Sequence, residues 1–112
     1  MIYNLEKIND MADGDQDFIV SVVATFIEEV PQDLASLENA LEANDHDQVY
    51  KLAHKIKPNV DLLGMEQTRL AALEMETLGK NGADIHEIKA IFPTLKTDIH
   101  QVVGELKKDF GL

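Results

Sequence analysis

The sequence contains no cysteine and no tryptophan, and aromatic residues make up only 5% of its 112 residues. Without cysteine the chain forms neither disulfides nor thiolate metal sites, which fits a reducing compartment. With so few aromatic rings, Leu, Ile, Val and Ala must fill the core. The length fits one domain, residues 1–112, and an apolar content of 45% is ordinary for a folded protein.

Signals for export, membrane insertion and nucleic-acid binding are also absent. The N-terminal residues MIYNLEK lack the basic-then-apolar order of a signal peptide. No apolar run approaches the roughly 20 residues that span a bilayer. We therefore expect a cytoplasmic protein. The formal net charge of −11 repels phosphate backbones and anionic membrane surfaces, so we expect neither nucleic acid nor membrane as a partner.

Motifs for nucleotides and metals are missing as well. Neither G-x-x-x-x-G-K-[ST] nor G-x-G-x-x-G occurs, so the chain has no recognisable ATP-binding loop. The histidines do not form H-E-x-x-H, and no Glu lies three residues before any of them, as di-iron bundles require. We expect no cofactor, no metal site, and surface roles for His46, His86 and His100.

The sequence does contain apolar residues spaced three and four apart, the pattern of amphipathic helices. No segment alternates with a period of two, so no sheet is predicted. Pro31 predicts a kink or a break in its helix, and Pro93 predicts either a kink or a late helix start. Short turns make successive helices antiparallel neighbours. The prediction is an all-α, up-down-up-down antiparallel four-helix bundle with a short extra N-terminal helix. The helices are expected over 3 or 4–11, 16–43, 46–63 and 66–78, with a last one after residue 84. Asp15, Asp45 and Asp84 are the predicted N-caps.

Apolar spacing also bears on the buried faces of the second and fourth helices. In the fourth helix the periodicity predicts an inward face of Leu70, Leu73, Thr77 and Leu78. In the second helix three apolar residues fall to one side of the main stripe. Two arrangements fit them: packing under the N-terminal helix, or an exposed apolar patch beside His54. The three are Phe18, Val22 and Phe26.

One histidine of the third helix lies on the face that should meet solvent. At about 100° per residue, His54 points roughly 140° away from Val49, at the centre of the apolar stripe. Lys57 lies one turn further on. An exposed histidine on a rigid helix, with a cation one turn away, is suited to carrying a phosphoryl group. The stripe consists of Val49, Leu52, Ala53, Ile56, Val60 and Leu63.

The residues around His54 resemble the motif of a known family, the histidine phosphotransfer (HPt) domains. In that family an aliphatic residue and a lysine follow the histidine at the second and third places, and a Leu/Met-Gly pair closes the helix. Here Ile56, Lys57, Leu63 and Gly64 fill those places. The segment FIEEVP at 26–31 and the leucines after it are similar to the family's second helix. Pro58 departs from the pattern, because the family commonly has Gly there.

The resemblance implies a phosphoryl carrier in a two-component phosphorelay. A receiver domain bearing a phosphoaspartate would dock on the bundle, and Nε2 of neutral His54 would attack the phosphorus in line. The group would then pass to the aspartate of a second receiver. The receiver would supply magnesium and most catalytic groups, since phosphoryl transfer needs mainly positioning and charge neutralisation. Lys57 would stabilise the phosphate oxygens, and the chain would be a carrier without an ATP site rather than a free-standing enzyme.

The residues closest to His54 on the helix surface are the predicted contact rim for that partner. Helical geometry places most of them within about 60° of His54, and Lys55 about 100° away. Pro58 also leaves the carbonyl of His54 without its usual N–H donor, so a local bend is expected. The rim consists of Tyr50, Lys51, Lys55, Pro58, Asp61 and Met65.

A second class of function stays open, because an exposed helical histidine is more often an ordinary surface residue. The bundle would then be a non-catalytic docking or scaffolding module for signalling proteins. The intact pair of His54 and Lys57 favours the carrier, since a scaffold needs neither. Partners are expected to be response-regulator receiver domains, including that of a hybrid histidine kinase, and the chain is expected to be a monomer. The start at Met1 favours a stand-alone protein.

Overall fold

The computed structural model describes residues 3–112, and the regular structure in that range is helical. Aspartates predicted to cap helices do so: the Asp15 carboxylate accepts from the Phe18 N–H at 3.2 Å, and that of Asp45 accepts from the Gln48 N–H at 3.1 Å. The helices are α1 Glu6–Ala12, α2 Gln16–Glu42, α3 His46–Leu62, α4 Glu66–Lys80, α5 Ile85–Lys89 and α6 Phe92–Phe110.

Four long helices form the bundle, as predicted. α3 packs between α2 and α4, and α6 closes the bundle against α2 and α4, while the short α1 packs on α2. The molecule measures 45 × 22 × 21 Å, and its long dimension matches α2, whose 27 residues span about 40 Å at 1.5 Å per residue. No helix within residues 3–112 is both long and apolar enough to cross a membrane.

The prolines affect the helices differently. Pro31 lies inside α2 and Pro58 inside α3, and both helices continue through them. Pro93 stands in the first turn of α6, where a missing N–H costs no intrahelical bond, so the last segment divides into the short α5 and a late-starting α6. Apolar residues three and four apart are buried along both helices, at Ile88, Phe92, Leu95, Ile99, Val102 and Leu106, while Ile85 is half-buried.

The predicted inward face of α4 is wrong except at Leu78, which is half-buried and packs against the core. Leu70 and Leu73 are 44% and 37% exposed, and Thr77 is exposed as well. The buried face lies to the other side and is made of smaller or more flexible residues, because α4 approaches α3 closely. A Cβ added at Gly79 would lie 3.1 Å from the Tyr50 backbone nitrogen, which shows how close the two helices are. The buried residues of α4 are Thr68, Ala72, Met75 and Gly79.

The three apolar residues of α2 do not form an exposed patch. Phe26 belongs to the core at 5% exposure, and Phe18 and Val22 are half-buried and pack against it. A shallow groove remains between α2 and α3, lined in part by Val22, Phe26 and Leu62. The surface around His54 is therefore shaped mainly by α3 and α4.

Candidate functional site

His54 faces solvent from the middle of α3, as the helical geometry predicts. Its side chain is 63% exposed, whereas Val49, Ala53 and Ile56 on the opposite side of α3 are fully buried. These buried neighbours fix the helix against the bundle. The imidazole is therefore held on a rigid support with access to a partner from outside.

The side chain that contacts His54 comes from the next helix. Both carboxylate oxygens of Glu76 lie 3.3 Å from Nδ1 of His54. The Lys57 ammonium donates to the same two oxygens, at 3.2 Å and 2.9 Å. His54, Lys57 and Glu76 thus form one connected group across the α3–α4 interface.

The charge of Glu76 is supported by these two partners. Burial of its side chain, which is only 15% exposed, opposes ionisation. Hydrogen bonds from Lys57 and His54, together with their positive charge, outweigh that effect and hold the pKa of Glu76 below its ordinary value. Glu76 is therefore an anion at neutral pH.

This anion determines which nitrogen of His54 carries the proton. A carboxylate only accepts hydrogen bonds, so the contact requires a proton on Nδ1. In the neutral ring the other nitrogen, Nε2, then keeps its lone pair. Because Nδ1 is turned toward α4, Nε2 is the nitrogen available to a partner.

An aromatic ring stacks on His54, and a lysine of α4 lies over that ring. The Tyr50 ring stacks on the imidazole, with centroids 6.3 Å apart and planes at 29°. The Lys80 ammonium lies 5.9 Å from the centroid of the Tyr50 ring. Tyr50, predicted for the contact rim, is thus beside His54.

The other lysines of the predicted rim are paired with carboxylates. Lys51 bonds to Asp47 on its own helix at 2.9 Å, and hydrogen bonding and the charge of Asp47 raise its pKa. Lys55 bonds to the buried Asp33 of α2 at 2.9 Å. Lys55 is therefore directed toward α2, away from His54, in agreement with its greater angular distance.

For the C-terminal part of the contact rim, the prediction is only partly correct. Pro58 is exposed, and Asp61 is half-buried and paired with Lys7 at 2.7 Å. Met65 is 3% exposed and lies in the core, so its predicted place on the rim is wrong. The prediction extended the helical screw of α3 to Met65, but α3 ends at Leu62 and the chain turns into the bundle.

Glu76, which contacts both His54 and Lys57, is the residue of this site that the sequence did not predict. Its position follows from the register between α3 and α4, and the wrong inward face predicted for α4 hid that register. Acidic residues are abundant in this chain, so composition does not single it out. Among residues 3–112, no group of three or more Asp, Glu or His side chains is placed to hold a metal ion.

The bundle and its solvent-facing histidine define a class of protein, and comparison with known families identifies it. The model of the family described as Hpt domain matches residues 21–105, which is most of the chain. The chain therefore belongs to the Hpt domain family, the histidine phosphotransfer domains of phosphorelays.

Two known proteins resemble the chain along nearly its whole length. Phosphorelay intermediate protein rdeA of Dictyostelium discoideum is 25% identical over 111 residues, which make up 96% of this chain and 43% of rdeA. The chain thus spans less than half of that relative. The crystal structure of histidine-containing phosphotransfer protein B from Pseudomonas aeruginosa matches with a TM-score of 0.84 at 19% identity, covering 96% of this chain and 92% of that one. At this identity the match shows a shared fold.

Proposed function

We propose that this protein accepts a phosphoryl group on Nε2 of His54 from the phosphoaspartate of a receiver domain and passes it to the aspartate of another receiver. The observation that carries the proposal is the contact of Nδ1 with Glu76, which in the neutral ring leaves the lone pair on Nε2 of a side chain that is 63% exposed. Family membership and the likeness to a phosphorelay intermediate support the same chemistry.

The transfer needs no proton movement on this chain. The lone pair of Nε2 forms the N–P bond while the P–O bond to the aspartyl carboxylate breaks, and the carboxylate leaves as an anion. The ring keeps its Nδ1 proton and gains positive charge. That charge develops 3.3 Å from the Glu76 carboxylate, which stabilises it in place.

Lys57 is the proposed cation for the phosphate oxygens. It lies one turn beyond His54, and its contact with Glu76 holds it beside the imidazole. This pairing also offsets the negative charge of Glu76, which would otherwise repel an incoming phosphoryl group. Lys57 and Glu76 therefore work as a pair: one carries the cation, and the other orients the ring.

The receiver is proposed to dock on the face of α3 around His54. Tyr50, Lys51, Lys55, Pro58 and Asp61 are at least partly exposed there. A phosphoaspartate is anionic, and the lysines supply positive charge on a chain whose net charge is −11. The receiver of a hybrid histidine kinase is a donor of this kind.

Transfer from a phosphorylated, isotopically labelled receiver tests the proposal. His54→Gln should abolish labelling without unfolding the protein, because an exposed residue typically changes stability by no more than about 0.5 kcal/mol. His100→Gln, at an exposed histidine of α6, is the matched control and should be labelled like the parent. The product should be acid-labile and stable in alkali. Labelling of His54→Gln, or a parent protein that no receiver labels, would contradict the proposal.

Lys57→Ala in the same assay tests the second residue. The variant should keep the fold and should accept label more slowly or lose it sooner, because one partly exposed cation near a dianion is removed. Unchanged transfer and an unchanged lifetime of the phosphorylated form would make Lys57 a surface residue without a role in transfer.

A further inference from the structure

Four lysines lie on or beside the helix face that carries His54, and one of them has a different kind of partner. Lys51, Lys55 and Lys57 each bond to a carboxylate at 2.9 Å. The ammonium of Lys80 has no Asp or Glu oxygen within 4.0 Å among residues 3–112. It lies instead over the face of the Tyr50 ring.

The antiparallel register of α3 and α4 brings this cation to the site. Glu76 lies level with His54 and Lys57, and Lys80, one turn later on α4, lies level with Tyr50. Tyr50 is one turn before His54 on α3. The imidazole therefore has Lys57 toward one end of α3 and Lys80 toward the other.

The contact that holds Lys80 is weak and easily exchanged. Glu76, four residues earlier, is the usual type of partner for a helical lysine, but His54 and Lys57 already occupy its oxygens. A lysine over a ring face at an exposed site gains little compared with hydrogen bonds to an anionic oxygen. The long side chain of Lys80 can leave the ring without disturbing the core.

We propose that Lys80 is a phosphate-binding residue, which moves from the Tyr50 ring onto the phosphoryl group when His54 is phosphorylated. The proposal rests on the proposed function in that His54 must be phosphorylated. In the unphosphorylated protein the ammonium lies over the Tyr50 ring, which itself stacks on the imidazole. Lys57 stays with Glu76, and Lys80 supplies the second cation for the dianion. Lys80 therefore stabilises the phosphorylated protein relative to the unphosphorylated protein.

This role is tested by the equilibrium of phosphoryl exchange between this protein and a receiver, with the two proteins dissociated from each other in all four forms. Docking affinity does not enter that equilibrium constant, so only stabilisation of phosphorylated His54 changes it. Lys80→Ala should shift the equilibrium toward the phosphorylated receiver by about threefold, the effect of one partly exposed ion pair. Lys80→Arg should restore the parent value, and Lys108→Ala, at an exposed lysine of α6, should leave it unchanged. An unchanged equilibrium in Lys80→Ala would overturn the proposal.

A second measurement uses phosphoramidate, a small phosphate donor that needs no receiver. In the NMR spectrum the Hε protons of Lys80 should lie upfield in the free protein, because of the Tyr50 ring current, and should lose that shift after phosphorylation. In Tyr50→Leu the upfield shift should be absent from the start. A Lys80 signal that stays upfield after His54 is phosphorylated would overturn the proposal. Phosphoramidate labelling without labelling by any receiver would contradict the proposed function alone.

Discussion

At the scale of single residues, the carboxylate of Glu76 connects the two side chains of α3 to which we assign the proposed transfer. It accepts from Nδ1 of His54 and from the Lys57 ammonium. A glutamine would still accept one proton from Nδ1, but it would lose the charge that stabilises a phosphorylated ring. The negative charge of Glu76, more than its shape, is therefore what this position contributes.

The lowered pKa of Glu76 predicts a pH dependence of stability. Its ordinary value is 4.5, and the folded protein holds the pKa below that value. The ionised group therefore stabilises the fold fully above about pH 5.5, and this contribution is lost as the pH falls below 4.5 and through the lowered pKa. Urea unfolding measures the free energy of unfolding of the parent and of Glu76→Gln from about pH 7 to about pH 3. We expect the parent to be more stable by about 1 kcal/mol at neutral pH, and we expect this difference to shrink in acid.

Glu74→Gln is the control for this experiment. Glu74 is exposed on the same helix and forms no ion pair within residues 3–112. Its replacement should leave the parent's acid dependence in place. If the gap between the parent and Glu76→Gln stays constant down to about pH 3, the ion-pair account of Glu76 is wrong.

At the scale of elements, the turn between α3 and α4 determines where the site ends. Gly64 has φ +65°, a left-handed conformation that glycine adopts without strain. An added Cβ there would also overlap the side-chain amide of Asn4, because the N-terminal segment crosses this turn. The Asn4 backbone N–H donates to the Leu63 carbonyl at 2.8 Å. Backbone conformation and packing therefore both require glycine.

Gly64→Ala and Gly82→Ala separate these two requirements. Gly82 has φ +69° and nothing within 4 Å of an added Cβ, so its variant carries only the backbone strain. We expect Gly82→Ala to cost about 1–2 kcal/mol in the free energy of unfolding and Gly64→Ala about 1 kcal/mol more. Equilibrium unfolding in urea measures both.

A double-mutant cycle with Asn4→Ala checks the cause of the difference. In that background the extra cost of Gly64→Ala should disappear, because the overlapping amide is gone. Equal costs for the two glycine variants in the parent protein would show that the N-terminal segment moves aside freely.

At the scale of the whole molecule, the charge is strongly unbalanced. There are 21 acidic residues against 10 Lys and Arg, so within residues 3–112 many carboxylates have no cationic partner. Self-repulsion among these carboxylates opposes the compact state. The lysines near His54 stand out against this background as a local cluster of cations, although three of them are paired with carboxylates.

This imbalance predicts that salt stabilises the fold. Raising NaCl from about 10 mM to about 300 mM screens exposed charges, and repulsion among the excess carboxylates should weaken more than the exposed ion pairs do. We expect a gain of roughly 1 kcal/mol, seen as a rise in Tm of about 4 °C. Thermal unfolding followed by circular dichroism measures it, and a Tm that falls with salt would show that the ion pairs dominate.

Local patterns in the sequence determined the helices and the exposed histidine. Apolar spacing, the capping aspartates and the turn at Gly64 are properties of neighbouring residues, so they can be read without knowing the fold. The solvent-facing position of His54 follows from the same periodicity within α3. The direction of Lys55, away from His54, also needed only helical geometry.

The tertiary structure alone decided which residues from other helices meet at the site. Glu76 reaches His54 because α4 packs closely on α3 through Ala72 and Gly79, and this exposes Leu73, which the periodicity placed inside. Met65 is buried because the turn breaks the helical screw on which its position was predicted. In each case the outcome depends on the register and distance between two helices. These are set by side-chain packing across the whole bundle, which no pattern within one helix contains.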